Sequence, residues 1–226
     1  MIITPPSVLK IPDDIPVGAF CLYGQTGSAL NVGNVMDEGI EIVSGDDVAH
    51  IEVYAGQTVS ALTTPGGVGN PVSWASRNGI GVGLYGFRSD GLRYVYVPLG
   101  VLAAQQMAQP GAPLLDGWLK VAALNGLIPG FDADAVTDWF NRGIDGLPYG
   151  WNDITANLEP DARGLATTDL RKCGGADCSH FAAALEEVAG CTLFNPEYPK
   201  NKIKPNDFKK TAAAKCIWNY QTAGKI

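Results

Sequence analysis

Along 48–54, Ala49, Ile51 and Val53 alternate with His50, Glu52 and Tyr54. A period of two predicts a strand with one apolar face and one carrying polar side chains. A strand is also expected at about 17–24. A shorter one over 59–64, following Ala55-Gly56-Gln57, should pair with the His50 strand as a hairpin. Strong alternation over 79–88 and 92–99 flanks Asp90-Gly91, the best hairpin signal in the chain. Helical spacing appears at 29–43 and dominates beyond Val101, with helices expected over 101–109, over 114–124 ending at Gly126, and over 133–142 capped by Asp132. A last helix should start near Cys178. There the turn-forming run Lys172-Cys173-Gly174-Gly175 gives way to Phe181, Leu185 and Val188, with Asp177 as N-cap. Strands grouped early with helices around them imply an α+β fold, a largely antiparallel sheet packed against helices.

Composition narrows the class. With 226 residues, 46% of them hydrophobic and 17% charged, the chain can bury a sizeable core. No linker of biased composition divides it, so one domain over 1–226 is expected, with a core at about 17–210 and a helical insertion at about 101–145. Neither an export signal nor an apolar run of membrane-spanning length is present, which points to a cytoplasmic origin with release left open, by phage lysis or a secretion machine. Five cysteines cannot all pair and show no zinc spacing, so a reducing origin and no metal are expected. The net charge is −7, but residues 200–226 carry seven lysines against Asp207, so that tail is +6 and the remainder −13. Nucleic acid is a poor partner for the body of such a chain. The Lys-rich tail suits a protein partner or, equally, a solvated helix around 208–215.

Cys178 is the candidate nucleophile. Lowering a thiol from about 8.5 to about 4 takes roughly 6 kcal/mol, and a helix N-terminus supplies at most about 2 kcal/mol. A cationic partner must supply the rest. The chain has two histidines. His180 follows Cys178 by two positions, points away from it on a helix, and reads as a surface residue. His50, on the polar side of its strand beside Glu52, is the better base. Gly81-Val-Gly83-Leu-Tyr-Gly86 spells a dinucleotide-binding pattern, but it leads into a hairpin instead of a helix and lacks the acidic residue expected about twenty positions on. Its glycines read as a strand packed close to other backbone.

Gly146-Leu-Pro148-Tyr149-Gly150-Trp151 followed by Asp177-Cys178-Ser179-His180-Phe181 resembles the G-x-P-Y-x-W and D-C-S-G-F signature of NlpC-type papain-like cysteine peptidases, with His180 in place of glycine and a longer gap. His50-Ile-Glu52-Val-Tyr54-Ala-Gly56, with Ala61 and Pro65-Gly66-Gly67-Val68, resembles the H-V-G-I-Y-x-G and G-G-V run of the circularly permuted branch, in which histidine precedes cysteine. Ile203-Lys-Pro205-Asn-Asp207-Phe208 is similar to its closing P-x-D-L segment.

The resemblance implies a permuted papain-like fold without cofactor. Cys178 would attack a carbonyl, His50 would shuttle the proton, and a third polar group would orient the imidazole. The family's carboxylate position aligns with Ser60. If the hairpin loop is 54–56, Ser60 faces His50; if it is 56–57, Thr63 does; Glu52, where the family often has glycine, shares the face of His50 and reads either as a compensating third member or as a solvated strand carboxylate. Tyr149 corresponds to a tyrosine that lines the cleft, with backbone N–H groups at Cys178 as oxyanion donors; packing after the Gly-x-Pro turn explains it equally. Trp151 is read as groove floor or core. The expected activity is hydrolysis of an amide in peptidoglycan peptides. The alternatives are an acyl-lipid hydrolase or acyltransferase of the same fold, or a non-catalytic module of a phage virion or secretion machine.

Overall fold

The alternation at 48–54 becomes a real strand in the computed structural model, which describes residues 15–24, 47–57, 70–108, 130–150 and 168–222. The strands are β1 (Phe20–Tyr23), β2 (His50–Gln57), β3 (Pro71–Arg77), β4 (Gly81–Gly86), β5 (Leu92–Pro98) and β6 (Ala214–Asn219). They form one sheet in the order β4-β3-β2-β1-β5-β6, antiparallel throughout. The helices are α1 (Leu99–Ala108), α2 (Ala133–Asn141), α3 (Cys178–Val188) and the short α4 (Asp207–Lys210), with 3-10 turns at Leu170–Cys173 and Lys200–Lys202. This is a mixed α+β arrangement built on an antiparallel sheet. Among the described residues, no helix is long and apolar enough to cross a membrane.

Register decides what each face carries. Phe20 stands opposite Val53 and Leu22 opposite Ile51, and these four share an apolar core with Phe181 and Leu185 of α3. Cys21 stands opposite Glu52 and Tyr23 opposite His50, so these side chains lie on the other face. Helix α3 packs across β2 and β3, with α2 and the 3-10 turn at Lys200–Lys202 also against it. Covered on several sides, it buries its residues from Cys178 to Glu186.

Several expectations change. Asp90-Gly91 does form a turn, with Gly91 at φ 75°, yet the strands on either side do not pair. Strand β4 lies at one edge beside β3, and β5 lies between β1 and β6. The actual hairpin joins β3 to β4 through Gly79 at φ 77°, with the Ile80 N–H donating to the Arg77 carbonyl at 3.1 Å. The partner of β2 on that side is β3. The segment expected there, 59–64 with Ser60 and Thr63, lies outside the described residues, as do 29–43, 114–124, Gly66, Gly67 and Trp151. The Lys-rich tail is not one solvated helix: α4 ends at Lys210 and β6 follows. Lys200 is buried with its Nζ 2.9 Å from Glu187 Oε2, and Lys209 Nζ lies 2.6 Å from Asp47 Oδ1. Burial of apolar stems and pairing of their ammonium groups draw these lysines inward.

The glycine pattern at 81–86 lies entirely within β4, with no helix after it. Gly81 has φ 106°, and a Cβ there would stand 2.3 Å from the Leu147 carbonyl oxygen. That carbonyl accepts from Val82 N–H at 2.8 Å, and Gly146 N–H donates back to the Val82 carbonyl at 3.0 Å. The segment before Tyr149 thus covers part of the β4 edge, which otherwise would offer unpaired backbone groups.

Candidate functional site

The turn into α3 is built by two left-handed glycines, Gly174 at φ 75° and Gly175 at φ 141°. A Cβ on Gly175 would meet the Pro148 carbonyl oxygen at 2.4 Å, so this approach needs glycine. Ala176 then forms a parallel bridge with Tyr149, and its carbonyl accepts from Ser76 Oγ at 2.5 Å. Asp177 has the extended conformation of an N-cap, φ −71° and ψ 177°, and its Oδ1 accepts from the His180 N–H at 2.7 Å and from Ser179 Oγ at 3.0 Å. These contacts set Cys178 at the positive end of the helix dipole. The residue is 3% exposed, and its Sγ lies 4.0 Å from the carbonyl oxygen of Ala49. That carbonyl belongs to the peptide that links Ala49 to His50.

His50 opens β2. Its Nε2 lies 3.1 Å from Glu52 Oε1, and its ring is tilted against Tyr23 with centroids 5.8 Å apart. Glu52 is fully buried and heavily bonded: Arg77 Nε donates to Oε1 at 2.8 Å, Arg77 Nη2 to Oε2 at 3.1 Å, and Arg88 Nη2 lies 3.2 Å from Oε1. Both guanidinium groups rest on aromatic rings, Arg77 over Tyr85 at 4.4 Å and Arg88 over Tyr23 at 5.1 Å. Burial works to raise the Glu52 pKa, but the hydrogen bond and charge of His50, the bond from Arg77 and the charge of Arg88 together bring it down to about 2. An ionised carboxylate can only accept, so at this contact Nε2–H donates to Glu52 Oε1.

The structure therefore joins His50 to Glu52 directly and brings Cys178 to the start of the same strand. It does not set thiol and imidazole on one face: alternation sends Ala49 and Ile51 toward α3, and His50 and Glu52 toward Cys21 and Tyr23. The thiol reaches the rim of the sheet where β2 begins, and its contact there is with the carbonyl of the peptide before His50, not with the imidazole. Tyr149 is half-buried, its backbone bridged to Ala176 two positions before Cys178. His180 is not a surface residue; it is fully buried, because α3 is enclosed by sheet and helices together. Asp207 Oδ2 accepts from Lys204 N–H at 3.0 Å and Phe208 is fully buried, so the Pro205-to-Phe208 segment is a packed turn.

Arg77 and Arg88 are the residues that sequence reasoning missed. Arg77 ends β3, a strand whose mixed pattern Val72-Ser73-Trp74-Ala75-Ser76 gives no clear period, and Arg88 follows β4. None of the five cysteines is in a disulfide. Among the described residues there is no cluster of three or more His, Cys, Asp or Glu side chains able to hold a metal ion. No family model, no curated protein and no solved structure matches this chain.

Proposed function

We propose that the protein is a thiol hydrolase of permuted papain-like design, with Cys178 as nucleophile, His50 as general base and acid, and Glu52 as the group that orients the imidazole. The observation that carries this reading is the chain of contacts from the α3 N-terminus to the carboxylate: Sγ at 4.0 Å from the peptide preceding His50, and His50 Nε2 at 3.1 Å from Glu52. It supports Glu52 as the third member; Ser60 and Thr63 lie outside the described residues. A carboxylate stabilises an imidazolium more than a hydroxyl does.

In this mechanism the Cys178 proton passes to His50 and the thiolate attacks the carbonyl carbon of an amide. The tetrahedral intermediate collapses as the imidazolium gives its proton to the leaving amine, and a thioester remains. Water, losing its proton to His50, then attacks the thioester; an acid is released and the thiol is restored. An amide in peptidoglycan peptides is the preferred substrate, and an acyl ester undergoes the same steps with an alcohol leaving.

A second reading has its own support. Cys178 is 3% exposed and His50 projects from the opposite face of β2, as in a module that keeps the fold without turnover. Digests of muropeptides and of phospholipids with wild type and Cys178→Ala separate the two. Product formed by wild type alone establishes the hydrolase and identifies the bond. No product from either substrate, or equal product from both proteins, removes Cys178 from the chemistry.

A further inference from the structure

We infer that Arg77 and Arg88 are positioning residues for the proposed reaction: they hold the Glu52 carboxylate fixed and charged beside His50, so that the imidazole keeps its proton on Nε2. The inference rests on the thiol-hydrolase reading and extends it to two side chains outside the catalytic trio.

A fully buried carboxylate next to a single histidine would be costly to keep ionised. Here one oxygen is shared by His50 Nε2, Arg77 Nε and Arg88 Nη2, and the other is taken by Arg77 Nη2. The bidentate Arg77 contact fixes the plane of the carboxylate as well as its charge. Arg77 is itself fixed, its Nη2 donating to the Gly86 carbonyl at 3.0 Å and its guanidinium lying over Tyr85. Among the described residues, Cys21 and Tyr23 of β1 and Tyr85 of β4 also face this cluster; burial pushes all three up and the Glu52 charge adds to it, with Arg77 opposing at the two tyrosines, while Asp145, which acts on Tyr85, is an acid. None of these supplies a counter-charge to Glu52. A fully buried carboxylate on β2 is costly by itself, and here it is compensated by cations from β3 and from the residues after β4.

The test is the pH profile of Cys178 alkylation by iodoacetamide, read by peptide mapping from pH 4 to 8 in the folded full-length protein. In wild type, Cys178 should react appreciably at pH 5, and His50→Ala should abolish that low-pH reactivity; if it does not, the thiol-hydrolase reading itself fails. Given the wild-type result, Arg77→Gln removes the bidentate guanidinium from Glu52, the effect of burial is less opposed, and the carboxyl should protonate within the measured range. The ratio of reactivity at pH 5 to that at pH 7 should then fall about tenfold, one pKa unit corresponding to a factor of ten, and Arg77→Lys should restore part of it. A merely structural arginine would lower reactivity equally at all pH values. Arg88→Gln, at a side chain 45% exposed, is the second variant should Arg77→Gln fail to fold, and should shift the same ratio in the same direction. Profiles that keep the wild-type shape in the folded variants overturn the positioning role while leaving the nucleophile assignment standing.

Discussion

His50 Nε2 and Glu52 Oε1 lie 3.1 Å apart, two residues along one strand and on one face of it. An i, i+2 pair on a strand needs no loop to bring it together, so this contact is as rigid as β2 itself. It also gives a buried carboxylate an acid-dependent contribution to stability.

Glu52 has a folded pKa of about 2 against an ordinary 4.5. A depressed carboxyl contributes fully above its unfolded pKa, and the contribution fades as pH falls through the folded value. Glu52→Gln should therefore lose roughly 3 kcal/mol at pH 7, where Arg77 and Arg88 are left facing a neutral amide. The difference from wild type should shrink between about pH 4.5 and pH 2. Thermal melts of both proteins across that window check it; a constant difference would show that the pair is not charged.

Cys21 and Cys191 are as buried as Cys178, and burial pushes both thiols up, with Glu52 adding to the first and Glu186 to the second. Brief alkylation at pH 6 should leave both untouched while Cys178 is modified. Mass mapping reads all five cysteines at once. Labelling of Cys191 alongside Cys178 would mean that local opening, not thiolate character, governs access.

Glu186 of α3 is fully buried, and among the described residues the Cys191 thiol is the one polar side chain that bears on its carboxyl. Burial raises its pKa well above the ordinary value, the neighbouring Cys191 thiol only partly opposing this. A raised carboxyl makes folding retain a proton that the unfolded chain gives up, so stability falls as pH rises above the unfolded pKa. Glu186→Gln should stabilise the protein at pH 7 to 8, on the order of 1 kcal/mol, with the gain vanishing near pH 4. Urea unfolding at the two pH values decides it; a destabilised Gln variant at pH 8 would contradict the neutral-acid assignment.

Gly81 combines φ 106° with an approach of 2.3 Å between its would-be Cβ and the Leu147 carbonyl. Gly81→Ala should cost about 2 kcal/mol or more, by strain and by separating β4 from the Gly146–Leu147 backbone. Hydrogen exchange should report the loss at the Val82 amide, which donates to Leu147. Unchanged protection there would show that the edge pairing does not depend on the glycine.

What the amino-acid sequence determined by itself was local. Asp177 caps α3 and Asp132 caps α2, its Oδ1 accepting from Ala135 N–H at 2.9 Å, because a cap depends only on residues within one turn. The His50–Glu52 pair was legible for the same reason, since alternation along one strand sets it. Asp90-Gly91 shows the limit: the turn formed, but which strands pair depends on edges supplied by distant segments, and β3 took the place beside β4. The burial of His180 and the inward turn of Lys200 and Lys209 depend on what covers α3 and the tail, which no local pattern records. Only the tertiary structure brought Arg77 and Arg88 to Glu52 and the Cys178 thiol to the peptide before His50. Contacts between segments so far apart in the chain are selected by the free energy of the whole packed sheet, and a sequence window holds no term for that.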